Sequence, residues 1–276
     1  MNFFEKIIRA LEVSAETPVP YGIFHLVSIL AVIITTTLLI KYFKDCDDKT
    51  FRRITLIFWI IFVVLEIYKQ THYTFEYNGG DPYWDFQWYA FPFQFCSSPH
   101  YVLPFVIFMK DGKVRDAAIS FMSFYCLVGG IAVFLLPTDV FTSVILNNFQ
   151  TMYHHGTQII LGIFFIVHRR KSISIKYVLK GLPVLGALIA AAMAMNIGVY
   201  HYFMAAGIDE TFNMFYISPY FDCTLPVLSS IYKVVPYPVF LALYVIAVLL
   251  GATVIYLSAK AIERLIGHLS ARRKVA

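Results

Sequence analysis

The chain has 276 residues, 59% of them hydrophobic and 14% charged, with a formal net charge of +5 and a mean hydropathy of +0.69. Soluble domains carry roughly a quarter charged residues, so a water-soluble enzyme is excluded. The apolar content also excludes disorder, and Gly and Pro occur without a period, which excludes collagen-like chains. The composition is that of an all-α, polytopic membrane protein.

The pattern predicts one integral membrane domain over 1–276. Phe3, Phe4, Ile7, Ile8 and Leu11 recur at helical spacing among Glu5, Lys6, Arg9 and Glu12. This pattern predicts an amphipathic helix at the membrane interface within residues 1–20. A hydrocarbon core about 30 Å thick needs about 20 mostly apolar residues per helix. Seven runs qualify: Phe24 to Phe43, Ile54 to Tyr68, Phe86 to Met109, Ala117 to Leu136, Phe149 to Val167, Tyr177 to Tyr200 and Pro238 to Leu257. A basic tail, 258–276, follows. A cleaved signal peptide is not expected, because the first run is long and ends at Lys41 and Lys44 instead of a small-residue cleavage site. No internal repeat is evident.

Of the 22 Lys and Arg, 18 fall in the first, third and fifth connections and the tail, and only Lys6, Arg9, Lys69 and Lys233 fall on the other side. The positive-inside rule then places the N-terminus outside and the C-terminus in the cytoplasm. Orientation accounts for the basic balance, so no nucleic-acid partner is needed. The sequence carries no signal for an oligomeric state.

Polar residues gather in the outer halves of the runs: Glu66 and Tyr68 in the second, Gln94, Cys96 and His100 in the third, Gln150, His154, His155 and Gln158 in the fifth, and Asn196 and His201 near the end of the sixth. Ionisable groups at membrane depth usually face a cavity or a partner, so these predict a polar chamber. Plainer readings exist for several. Glu66 could pair with Lys69 three residues on. Cys96 could be an inert small hydrophobe. His154 and His155 are adjacent, so at most one lines the same wall. No cofactor is called for, and HExxH, GxSxG, Walker and GxGxxG patterns are missing. A metal site is not predicted; the one alternative is a convergence of His72, His154, His155 and His201.

A thiol acts as a nucleophile only as thiolate, which a base or a helix N-terminus can favour. Cys96 lies early in its predicted helix, sharing a face with His100. A nearby histidine could take its proton, and Gln94 or Asn213 could donate amide hydrogens to an oxyanion. Four segments carry a family likeness: FPFQFC at Phe91 to Cys96, GG...LLPTD from Gly129 to Asp139, HHG at His154 to Gly156, and NMFYISPY...PYP from Asn213 through Pro238. Together they resemble the YwaF-type integral membrane proteins, whose eukaryotic branch includes a transmembrane acyltransferase that makes polyunsaturated ether phospholipids.

The resemblance implies a seven-helix fold with Cys96 as nucleophile, His155 as its partner and Asn213 lining the site. The chain departs from the pattern at Gln94, where bacterial relatives often carry His in L-P-L-H-L-C. The leading expectation is a membrane-embedded Cys/His acyltransferase or lipid hydrolase in a bacterial plasma membrane. It would act on membrane phospholipids through a thioester, with Gln94, His100, His154, Asn213, Glu66 and Asn196 around the substrate. A small-molecule transporter or lipid-binding receptor using the same cavity is the alternative, with Gly129, Gly130, Gly186 and Gly198 as packing or flexing positions. A structural assembly partner, met through the aromatic outer loops, is a third.

Overall fold

A computed structural model describes residues 3–76, 81–137 and 140–275, with side chains as far as His268. Asp139, at the end of the LLPTD run, lies outside the described residues, as do the side chains of Arg272, Arg273 and Lys274 in the tail.

The chain is mostly helical. Helix α1 (Phe3–Leu11) buries Ile8, and its Leu11 carbonyl accepts a hydrogen bond from Tyr68 Oη at 3.5 Å. Helix α2 (Ile23–Phe43) follows. Helix α3 (Asp48–His72) starts where the Asp47 carboxylate caps the Thr50 N–H at 2.9 Å. A two-residue antiparallel ladder, β1 (Phe75–Glu76) with β2 (Tyr83–Trp84), leads to α4 (Pro99–Phe108). Helix α5 (Lys113–Leu135) contains a π segment at Phe121–Cys126. Helices α6 (Ile145–His168), α7 (Leu182–Ala206) and α8 (Tyr237–Val275) complete the bundle.

Among the described residues, four helical stretches are long and apolar enough to cross a membrane: Ile23–Phe43, Lys113–Leu135, Ile175–Ala206 and Tyr237–His268. Rows of exposed apolar side chains on α2 (Leu26, Val27, Leu30, Ile33) and α8 (Ile246, Leu250, Val254, Leu257) present the surface that lipid would cover.

The run from Phe86 to Met109 is not a continuous helix, contrary to the sequence expectation. Two short 3-10 turns, Trp88–Ala90 and Phe95–Ser97, precede α4, and α4 has Pro at its first turn. Pro92 restricts Phe91 to an extended conformation, whereas a proline at the first helical position loses no hydrogen bond. Cys96 and His100 nonetheless fall in one helical stretch, Phe95–Phe108, whose first turn is 3-10. The sixth run is also interrupted: a short helix, Ile175–Leu179, ends before Gly181, and Gly181 lies so close to Tyr125 that an added Cβ would approach its ring to 2.6 Å.

Helix α6 is the packing centre, with 14 buried residues. A Cβ on Gly130 of α5 would sit 2.8 Å from the His155 carbonyl oxygen, and one on Gly156 would sit 2.9 Å from Val32 of α2. Small residues thus bring both neighbouring helices close to α6. Gly186 and Gly198, by contrast, face open space.

At the other end of α6, Phe51 stacks with His168 and Phe164 at 4.5 and 5.6 Å. Arg115, only 1% exposed, lies beside this cluster. It donates to the Val106 carbonyl at 2.9 Å, pairs with Asp48 and Asp111, and has Phe51 under its guanidinium. One side chain therefore ties α3, α4 and α5 together.

Candidate thiol and imidazole site

Cys96 occupies the 3-10 turn just before α4. Gln158 Nε2 donates to the Cys96 carbonyl at 2.8 Å, which fastens this turn to α6. His155 stands three residues before Gln158, on the neighbouring part of the same helix face. It is 8% exposed, and its Nδ1 is buried without a hydrogen-bond partner. Among the described residues, Cys96 Sγ makes no hydrogen bond to a histidine.

All four cysteines are free. Cys126 and Cys223 are buried, and Cys126 lies 3.3 Å from Ser98 Oγ inside the π segment. Cys46 sits in the α2–α3 connection, where burial and the Asp47 carboxylate push its thiol up, away from the reactive thiolate. Cys96 is intermediate in exposure as a residue.

A second group forms next to the Cys96 turn. Glu66 near the end of α3, His100 at the start of α4 and His154 on α6 each offer one ligand-type atom, all within 4.8 Å of one another. His154 lies flat on Phe62, with ring centroids 3.7 Å apart, and 5.3 Å from the His100 ring. Gln70 Nε2 donates to Glu66 Oε1 at 2.7 Å, and Lys69 Nζ stands 3.7 Å from the same oxygen. The intrahelical pair read from the sequence is therefore present, but both partners are largely buried. Gln150 Nε2 donates to Glu66 Oε2 at 3.2 Å and to His154 Nδ1 at 3.0 Å. His72 and His201 are not in this group; they contact Tyr68 and Tyr220 instead.

The remaining predicted residues hold a loop in place. Gln94 Oε1 accepts from the Phe215 N–H at 2.9 Å, and its Nε2 donates to the Asn213 carbonyl at 3.0 Å. Asn213 bonds the backbone at Asp222 and Ser218. Asn196, fully buried, accepts from the Met214 N–H at 2.7 Å and donates to the Met214 carbonyl at 3.0 Å. Phe215 and Tyr216 in this loop have φ of 59° and 57°, an unfavourable region for bulky residues. The three amides therefore hold strained backbone next to the Cys96 turn. Asn196→Ala should strand both Met214 groups at about 1–3 kcal/mol each, seen as a lower unfolding temperature and faster proteolysis between 207 and 236.

A separate cavity of about 260 Å³, lined by Asp116, Arg169, Lys176 and Lys180 among others, opens at the far end of α6 from His154. Sequence reasoning missed Gln70 and Phe62. Gln70 stands four residues after Glu66, which was a usable signal; Phe62 had none, since it reads as one more apolar residue of α3.

No curated protein and no solved structure matches the chain. Residues 20–256 match the model of the TMEM164 family, a range that spans α2 and every residue of the site. With this match and its long apolar helices, the chain is a multi-pass membrane protein that belongs to the TMEM164 family.

Proposed function

We propose that this protein is a thiol-dependent phospholipid acyltransferase or lipid hydrolase related to the YwaF-type proteins. In this reading it has seven spans, an exterior N-terminus and α1 on the outer interface of a bacterial plasma membrane. The observation that carries the reading is the Gln158 bond to the Cys96 carbonyl. It fastens the turn that carries Cys96 against the helix face that bears His155, whose Nδ1 has no hydrogen-bond partner.

In the reaction, His155 takes the Cys96 proton as Sγ attacks the carbonyl carbon of a phospholipid ester. Collapse of the tetrahedral adduct breaks the carbon–oxygen bond to the glycerol, and His155 returns the proton to the departing lysophospholipid hydroxyl. The thioester is then cleaved by a second lysophospholipid hydroxyl or by water, with His155 again moving the proton. The positive end of α4, which begins three residues after Cys96, favours the thiolate. Gln94 and Asn213 are engaged with backbone, so their role here is to shape the wall opposite the thiol.

The test is acyl transfer in proteoliposomes that contain a phospholipid with a labelled acyl chain and an unlabelled lysophospholipid. The label should move to the acceptor or to free fatty acid, and Cys96→Ala should lower the rate at least about 10⁴-fold, as for other nucleophile deletions. Undiminished movement with Cys96→Ala contradicts the assignment. Labelled solute carried unchanged across the bilayer, with no acyl transfer, would favour the transporter reading.

A further inference from the structure

We infer that Glu66, His100 and His154 form a binding site for a divalent transition-metal ion of the zinc class, distinct from the Cys96 thiol and independent of the acyl-transfer reading. The argument rests on which ring nitrogens carry a lone pair. Ser97 contributes a carbonyl oxygen, which only accepts, so the 3.1 Å contact from His100 Nδ1 makes that nitrogen the protonated one. The lone pair of a neutral His100 ring is then on Nε2, and Nε2 is buried with no hydrogen-bond partner.

The same reasoning applies to His154. Its Nε2 faces the Phe62 carbonyl at 3.4 Å, and its Nδ1 accepts from the Gln150 amide at 3.0 Å. That nitrogen also stands 3.8 Å from Glu66 Oε2. Both imidazoles thus set one nitrogen against a backbone carbonyl, and each ring offers a nitrogen within 4.8 Å of a Glu66 oxygen: on His100 it is the unpartnered Nε2, and on His154 it is held by Gln150. The carboxylate is held from behind by Gln70 and Lys69 on its other oxygen. Backbone carbonyls behind the histidines and hydrogen bonds behind the carboxylate are the outer shell typical of metal sites.

Two imidazoles and a carboxylate suit zinc and its neighbours, and leave a fourth position for water or a substrate oxygen. Donor atoms around a zinc ion lie about 3.3 Å apart for bonds of about 2.0–2.1 Å. The present group, within 4.8 Å, must therefore contract by rotating side chains. Gln150 now bridges Glu66 and His154. On metal binding its amide turns aside or presents Oε1, which makes it the gate of the site.

The experiment uses full-length protein in detergent, stripped with a chelator and titrated with cobalt chloride. One equivalent should bind with visible d–d bands of a four- or five-coordinate ion, without a thiolate-to-cobalt charge-transfer band, and zinc should displace it. Glu66→Gln and His100→Ala should weaken binding by more than about 100-fold, beyond the range for outer-shell losses, and Gln70→Ala by about 10–100-fold. His201→Ala should leave it unchanged. If a variant fails to fold, the stoichiometry and spectrum of the unaltered protein decide. No saturable binding, equal binding by Glu66→Gln and His100→Ala, or a thiolate band that disappears in Cys96→Ala would each overturn the inference.

Discussion

Arg115→Ala is expected to lower stability by about 2–5 kcal/mol, the range for emptying a filled core site. Its guanidinium is enclosed while its partners are not: side-chain exposure is 1% for Arg115 against 44% for Asp48 and 73% for Asp111. On removal the two carboxylates rehydrate, so the cost lies in the cavity beside Phe51 and in the stranded Val106 carbonyl. Arg115→Met, which keeps the stem's volume, should recover part of the loss. Thermal unfolding in detergent measures both.

An acid arm follows from the same contacts. Burial pushes the Asp48 carboxyl up, but hydrogen bonds from Arg52 and Arg115 outweigh this and hold it below its ordinary value. A depressed carboxyl contributes stability above its unfolded pKa, about 3.9, and loses it as the pH falls through the lower folded value. Arg115→Met should flatten the stability profile in that acid window.

His155→Ala should slow formation of the acyl-enzyme by about 10²–10⁴-fold, the contribution typical of a positioned general base. The helix should survive, because the contact that sets the α5–α6 distance at this residue is its backbone carbonyl against Gly130. His154→Ala is the informative comparison. That ring is stacked on Phe62 and bonded to Gln150, so its removal should act on stability and metal binding. Single-turnover acylation rates, read beside unfolding temperatures, separate the two histidines. Equal effects of both variants on both quantities would contradict separate roles.

The apolar runs made α2, α5 and α8 legible, because α2 and the first half of α8 expose apolar rows and α5 is buried among its neighbours, so each is hydrophobic on nearly every face. They also marked the middles of α3 and α6 but not their ends. Asp47 caps α3 several residues before the apolar run begins, and α6 starts at Ile145 among polar residues. The third run misled because composition does not register backbone geometry: Pro92 holds Phe91 extended, so the helical stretch begins only at Phe95, with a 3-10 first turn.

Within the site, the sequence singled out Glu66, Cys96, His100, His154 and His155, and helical periodicity said that the adjacent histidines diverge. It gave no means of seeing that His154 meets Glu66 and His100, since three helices bring them together. Gln94, Asn196 and Asn213 look like substrate-binding amides in sequence. Their partners are the backbone of a loop with two left-handed residues, a conformation with no signature in Phe215 and Tyr216.

The most direct test of the central claim is the intact mass of the purified protein after incubation with acyl-labelled phospholipid. One acyl chain should be added, released by neutral hydroxylamine as a thioester must be, and missing from Cys96→Ala. A thioester adduct that persists in Cys96→Ala, or label turnover by the native protein with no adduct at any time, would contradict it.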